Sequence, residues 1–440
     1  MNRALGCIIR CMVLPAIFLC SVAAAETTAV VGGTVHTVGP QGVIQNATII
    51  IVDGNIAAVG QGIAVPDGAE TIDASGKIVT PGLFTPIGRL GLVDIPLSGG
   101  PRDAVQRGEQ FTAGFDVADA YNSRATMIAV NRIEGVTRAL ITPMARATDE
   151  AGNASHVISG LAAVVNLGNG RDYLDRRSAA MVVNLGEDGS DYSGGTRTSA
   201  LLILRNALDE AIDYHEHKGD FERGMRRAYQ HSVADLEALG RVLSGETPLL
   251  ADVHRASDIE ALIRLSDEYG IAAIVSGGNE AWILADQLSK ANIAVVFAPM
   301  ENLPFSFDRI NARRGAAAIL VDAGVRVAFG DDSQDHTYNA RNITQAAGNA
   351  VADGMSWDAA LRAITLTPAE IYGVADQMGS IETGKQADIV IWPADPLELT
   401  SYPDQVLIKG EAISMVSRQT LLRDRYLQSD SDKPPAYRDH

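Results

Sequence analysis

Asp252 and His254 flank Val253 at the end of the apolar run 249–253. Asp331-Asp332 follows a second apolar run, 325–329, and His336 stands four residues past Asp332. Carboxylates and imidazoles at the ends of such runs suit two kinds of chemistry. They can hold a divalent cation, or they can move a proton to and from a water molecule. Asp332 reads as a metal ligand or base, or else as a plain carboxylate at a rim. His254 reads as a ligand or general base, or as a histidine satisfied by its neighbours. His336 lies in the polar stretch Ser333-Gln334-Asp335-His336, where a solvated imidazole is the default and a pocket-lining one the alternative. Ser276-Gly277-Gly278-Asn279 leads from an apolar run towards a helical one. Its backbone N–H groups suit an anion, and a tight turn is the plainer reading. No Gly-x-Ser-x-Gly elbow is present, which argues against a serine hydrolase.

Composition narrows the partners. Of the 440 residues, 36 are Lys or Arg against 54 Asp or Glu, a net charge of −18, so nucleic acid and anionic membrane surfaces are poor candidates as partners and neither is expected. Apolar residues make up 46%, ample for a large core. All three cysteines, Cys7, Cys11 and Cys20, lie in the first twenty residues. Arg3 and Arg10, the apolar run 11–20 and Ala23-Ala24-Ala25 together read as a secretory signal peptide cleaved after Ala25. The apolar run is shorter than the roughly 20 residues of a spanning helix. The expected mature chain therefore has no cysteine chemistry and no membrane segment and is secreted.

These residues need a scaffold, and the patterning supplies one. Residues 28–80 read as short β-strands, with Asp53-Gly54-Asn55 as a hairpin turn. From about residue 83 the pattern alternates. Strand-like runs at 136–142, 161–167, 180–185, 249–253, 271–275, 293–298 and 325–329 are interleaved with helical stretches at 199–215, 221–242, 257–269, 279–290, 310–323 and 339–353. Such alternation predicts a parallel sheet, with a (β/α)8 TIM barrel as the leading architecture and an open doubly wound sheet as the alternative. Thr367-Pro368-Ala369-Glu370 predicts a capped helix start. Strand-like runs return at 387–392, 405–409 and 412–416.

Several segments, in order, resemble the amidohydrolase superfamily. Lys77-Ile78-Val79-Thr80-Pro81-Gly82-Leu83 resembles its entry into the barrel. Ala363 to Glu370 and Gly379 to Val390 resemble its closing helix and the strand that completes its β domain. His254-Arg255-Ala256-Ser257-Asp258-Ile259 and Gly330-Asp331-Asp332-Ser333 lie between them. The similarity is to secreted, imidazolonepropionase-like members and, together with the leader, implies a periplasmic location. It implies an α/β fold, a distorted (β/α)8 barrel with a small composite β-sandwich domain built from both chain ends. The boundaries this implies are a leader at 1–25, β-domain parts at 26–82 and 377–425, a barrel at 83–376 and a loose tail at 426–440.

The resemblance also implies C–N bond hydrolysis at divalent metals, commonly zinc, held by histidines at the C-terminal ends of barrel strands. Position by position, the pattern is degenerate. Ile87 and Arg89 stand where a His-x-His pair is expected, Asp252 where a third histidine is expected, and Gly277 where a fourth is expected. His254 keeps the second place of its motif, and Asp332 matches the aspartate that shuttles the proton. Ile and Gly offer no donor, and Arg cannot coordinate. The metal set then shrinks to Asp252, His254 and Asp332, sufficient for at most one divalent ion (Zn, Mn or Mg) or for none. Arg89, Ile87, Gly277 and His336 become pocket residues, with Arg89 placed to pair with Asp332. Two functions follow: a hydrolase of non-peptide C–N bonds in amides or cyclic amides, or a non-catalytic relative that binds a ligand or serves as a structural subunit. The expected partners are a small-molecule substrate or ligand, and a second copy or an active paralogue.

Overall fold

The computed structural model describes residues 26–94, 102–106, 111–145, 156–304, 306–330 and 339–427. The expected leader, Asp332 and His336 lie outside the described residues.

The N-terminal block folds as five strands: β1 (Thr27–His36), β2 (Val43–Val52), β3 (Asn55–Gln61), β4 (Glu70–Asp73) and β5 (Ile78–Pro81). Asp53 and Gly54 both take positive φ, +48° and +79°, the backbone that a two-residue hairpin between twisted strands requires. The C-terminal strands β14 (Ile389–Trp392), β15 (Gln405–Ile408) and β16 (Glu411–Ala412) join the same sheet, because β14 pairs antiparallel with β5. Both chain ends thus build one β domain around Ile49, Ile51, Ile56, Ile389 and Leu407.

The barrel sheet holds β6 (Leu83–Thr85), β7 (Val136–Ile141), β8 (Ile158–Asn166), β9 (Leu174–Asn184), β10 (Leu249–Val253), β11 (Ala273–Gly277), β12 (Ala294–Phe297) and β13 (Val327–Phe329), in that spatial order. The distortion has a definite place. β7, β8 and β9 form an antiparallel meander, and every other neighbouring pair is parallel. The ends of the sheet approach each other. Gly330, after β13, packs on Pro86 and Ile87, after β6.

The helices are α1 (Thr126–Arg132), α2 (Gly186–Asp191), α3 (Arg197–Glu222), α4 (Val233–Leu243), α5 (Ala256–Tyr269), α6 (Ala285–Lys290), α7 (Ala316–Asp322), α8 (Ile343–Ala352), α9 (Trp357–Ala363), α10 (Leu366–Ile371) and α11 (Arg418–Leu427). The helix expected over 221–242 is instead the end of α3, a turn, and α4, because Ser232 and Asp235 form a capping box that starts a new helix. The box expected at Thr367 does not form. α10 begins two residues earlier, with Thr365 at its N-cap position, and Glu370 pairs with Arg362. The strand expected at 412–416 ends at Ala412, and α11 reaches Leu427, inside the stretch expected to be loose. Among the described residues no helix is long and apolar enough to cross a membrane.

Candidate active site

Strand parity sets what faces the barrel interior, since side chains two apart share a face. Val182, Leu250, Ile274, Val296 and Ala328 pack there with Phe84, Ile87 and Leu140. The next inward position on β9, β10 and β11 is polar: Asn184, Asp252 and Ser276. These three are neighbours in register, Asp252 lying opposite Asn184 on one side and Ser276 on the other. A polar layer therefore caps the apolar barrel core at the C-terminal ends of the strands, the end at which such barrels do chemistry.

His254 follows β10 and turns back over this layer. Its Nε2 lies 3.4 Å from Asp252 Oδ1. Its Nδ1 lies 2.6 Å from Asn279 Oδ1, and Asn279 Nδ2 donates to the Glu301 carbonyl at 2.7 Å. That second bond orients the amide, so the ring N–H at Nδ1 is the donor to Asn279. Arg309 Nη2 lies 2.9 Å from Nε2, and Arg309 Nη1 pairs with Glu301. A neutral ring accepts from Arg309 at Nε2, whereas a protonated ring donates there to Asp252. Burial alone would push the His254 pKa down. The hydrogen bond and charge of Asp252 outweigh burial and hold the imidazole above its usual range.

Gly277 explains why the ring fits. A Cβ built there would meet His254 Cε1 at 2.2 Å, and φ is +83°. His254 occupies the space that a side chain from β11 would fill. Asn279 and Glu280 hold the surrounding turn. The buried Glu280 accepts from the Ala256 N–H at the start of α5 and from Asn311.

Asp188, on the short helix α2 after β9, is exposed at its surface but within electrostatic reach of Asp252, His254 and Arg309. Its carboxyl is pushed above the usual range, first by desolvation and then by the Asp252 charge, while His254 and Arg309 pull the other way. Asp308 anchors α2 by accepting from the Glu187 N–H at 2.8 Å, and Arg197 links Asp308 to Asp258.

Of the residues expected at the site, Asp252, His254 and Gly277 converge. Ile87 is only 3% exposed and belongs to the apolar barrel core rather than to an open pocket wall, since it packs in the interior cluster that also holds Phe84 and Leu140. Arg89 is 1% exposed, enclosed rather than facing an open pocket. Its expected partner Asp332, and His336, lie outside the described residues. Asp188, Asn279 and Arg309 were not singled out from the sequence. No spacing signal marks them, because Arg309 lies 55 residues from His254 and Asn279 lies 25 away.

These side chains do not fit a histidine-held pair of divalent metals. Ile87 and Gly277 supply no donor, and Arg89 is cationic. Among the described residues the imidazole at the site, His254, has Nδ1 committed to Asn279 and Nε2 facing a guanidinium, which repels a dication. Among the described residues no three His, Cys, Asp or Glu side chains are grouped to hold a metal.

Comparison with known proteins agrees with this architecture. The amidohydrolase family pattern matches residues 207–413. The amidohydrolase tasK of Hapsidospora irregularis is 25% identical over 376 residues, 79% of this chain. An imidazolonepropionase of Porphyromonas gingivalis is 25% identical over 206 residues, 46% of this chain. The matched segments span only 37% and 44% of those relatives' lengths. The crystal structure of an amidohydrolase from Thermotoga maritima MSB8 superposes with a TM-score of 0.77 at 23% identity, over 88% of this chain and 99% of that one.

Proposed function

We propose that this chain, which carries the amidohydrolase-superfamily fold, is an exported hydrolase of a non-peptide C–N bond in a small amide or cyclic amide. It works without the histidine-held metal pair. The observation that carries the proposal is the inward polar layer at the open end of the barrel, where Asp252 lies beside His254 and is coupled to the raised carboxyl of Asp188. A carboxyl held above its usual range can serve as the acid while a neighbouring carboxylate serves as the base. In this reading Asp252 takes the proton of the attacking water, and Asp188 delivers one to the leaving nitrogen. Asp332 is the third carboxylate assigned to the site. His254, fixed by Asn279 and Arg309, orients Asp252 rather than binding a cation.

A second reading has one observation in its favour. Both ring nitrogens of His254 are engaged by protein groups, which suits a mouth that binds a ligand, or a structural subunit, without turning anything over. A screen of N-formyl amides, cyclic amides and dipeptides with the purified chain separates the two. The hydrolase reading predicts turnover that falls by roughly 10²–10⁴ in Asp252→Asn, the usual weight of a general base. Saturable binding of an amide with no turnover would replace it with the second reading.

A further inference from the structure

The barrel's other end holds a second cavity. β9 runs from Leu174 up to the mouth at Asn184, so the β8–β9 turn that precedes it lies at the opposite face. That turn and α1 enclose about 400 Å³. Three arginines line it, Arg124, Arg132 and Arg171, and among the described residues no carboxylate does. In a chain of net charge −18, three guanidiniums lining one cavity are a local reversal of the molecule's field.

The carboxylates of the adjoining turn face basic side chains outside the cavity, and Glu411 stands at its edge. Asp172 and Asp175 pair with Lys409, and Asp175 also with Arg138. Glu411 accepts from Asn169 Nδ2 at 3.1 Å. Arg132 Nη1 is held by the Leu167 carbonyl at 3.2 Å and by Asn169 Oδ1 at 2.6 Å, which fixes its plane against the turn. Arg132 is half-buried, and desolvation lowers its pKa, with Glu411 the first group to oppose it. An anion in the cavity would offset that cost of burial. Ile128 and Ala129 add an apolar strip, and the Tyr173 ring, 5.0 Å from that of Tyr121, closes one side.

We propose that this cavity is a binding site for a small molecule bearing two or more negative charges, gripped through its anionic oxygens by Arg124, Arg132 and Arg171. The shared chemistry is an array of phosphate or carboxylate oxygens, and the proposal is independent of what the mouth catalyses. Guanidinium forks match both groups bidentately.

Calorimetric titration of the full chain with inorganic pyrophosphate and, separately, with citrate tests it. The expected result is saturable one-to-one binding of at least one probe that weakens as salt is raised. It should weaken at least tenfold in the Arg124→Gln/Arg171→Gln double variant, whose side chains are exposed and spare the Arg132 contacts. Tighter pyrophosphate than citrate would assign the phosphate class, and the reverse the carboxylate class. Arg309→Gln, at the mouth, should leave binding unchanged. Absence of binding by both probes, undiminished binding in the double variant, or loss of binding in Arg309→Gln would overturn the proposal.

Discussion

Gly277 and His254 act as one unit, and each substitution there has a readable consequence. A methyl group at 277 would press on an imidazole that is pinned by Asn279 and Arg309, on a backbone with φ +83°. Gly277→Ala is therefore expected to destabilise the chain by roughly 1–3 kcal/mol, read as a lowered melting temperature. An unchanged melting temperature would mean that the ring does not sit over Gly277. That Ile87, Arg89 and Gly277 offer no metal donor is legible in the sequence, because it needs only their residue types. What surrounds His254 is not. Asp188 precedes His254 by 66 residues, and nothing near it in the chain announces that α2 carries it to the mouth. Ile87 shows the reverse limit: its type was legible, but its packing into one cluster with Phe84 and Leu140 was not, since it lies past the end of β6, where strand alternation assigns no face.

Among the elements, most strands and several helices follow from periodicity, with α5 and β10 falling within a residue of expectation. Direction was not legible. The apolar runs at 161–167 and 180–185 read the same whichever way they point, so the antiparallel β7–β9 meander is invisible to alternation alone. Nor was the break between α3 and α4. There Glu210 accepts the Gln230 and His231 backbone N–H groups at 3.0 and 3.1 Å and pairs with His231 Nδ1 at 2.9 Å. Burial pushes the Glu210 pKa up, but these hydrogen bonds outweigh it and hold the carboxyl below the usual glutamate range. A carboxylate depressed in the folded state adds stability above its unfolded pKa. That stability is lost as pH falls through the lower folded pKa. Glu210→Gln should cost about 1–3 kcal/mol at neutral pH. The difference from the parent should shrink below about pH 4.5. Urea melts at both pH values check this, and a pH-independent difference would contradict it.

At the scale of the whole molecule, one buried ion cluster ties the barrel to the composite β domain. Arg138 on β7 is held by Asp175 at 2.8 Å, by Asp388 at 2.9 Å and by Gln386 at 2.6 Å. Arg138→Met leaves Asp175 and Asp388 buried without that guanidinium, an expected loss of roughly 3–5 kcal/mol. The meeting of the chain ends was expected from the family resemblance. The cluster that fastens them was not, since Arg138 and Gln386 lie 248 residues apart. The same architecture frames the central claim, that this barrel has exchanged a histidine-held metal pair for an imidazole locked among Asp252, Asn279 and Arg309. Elemental analysis of the purified full chain, after zinc loading and exhaustive dialysis, tests it most directly. The account predicts no more than one divalent ion retained per chain. Two zinc ions per chain, with both lost in His254→Ala, would contradict it.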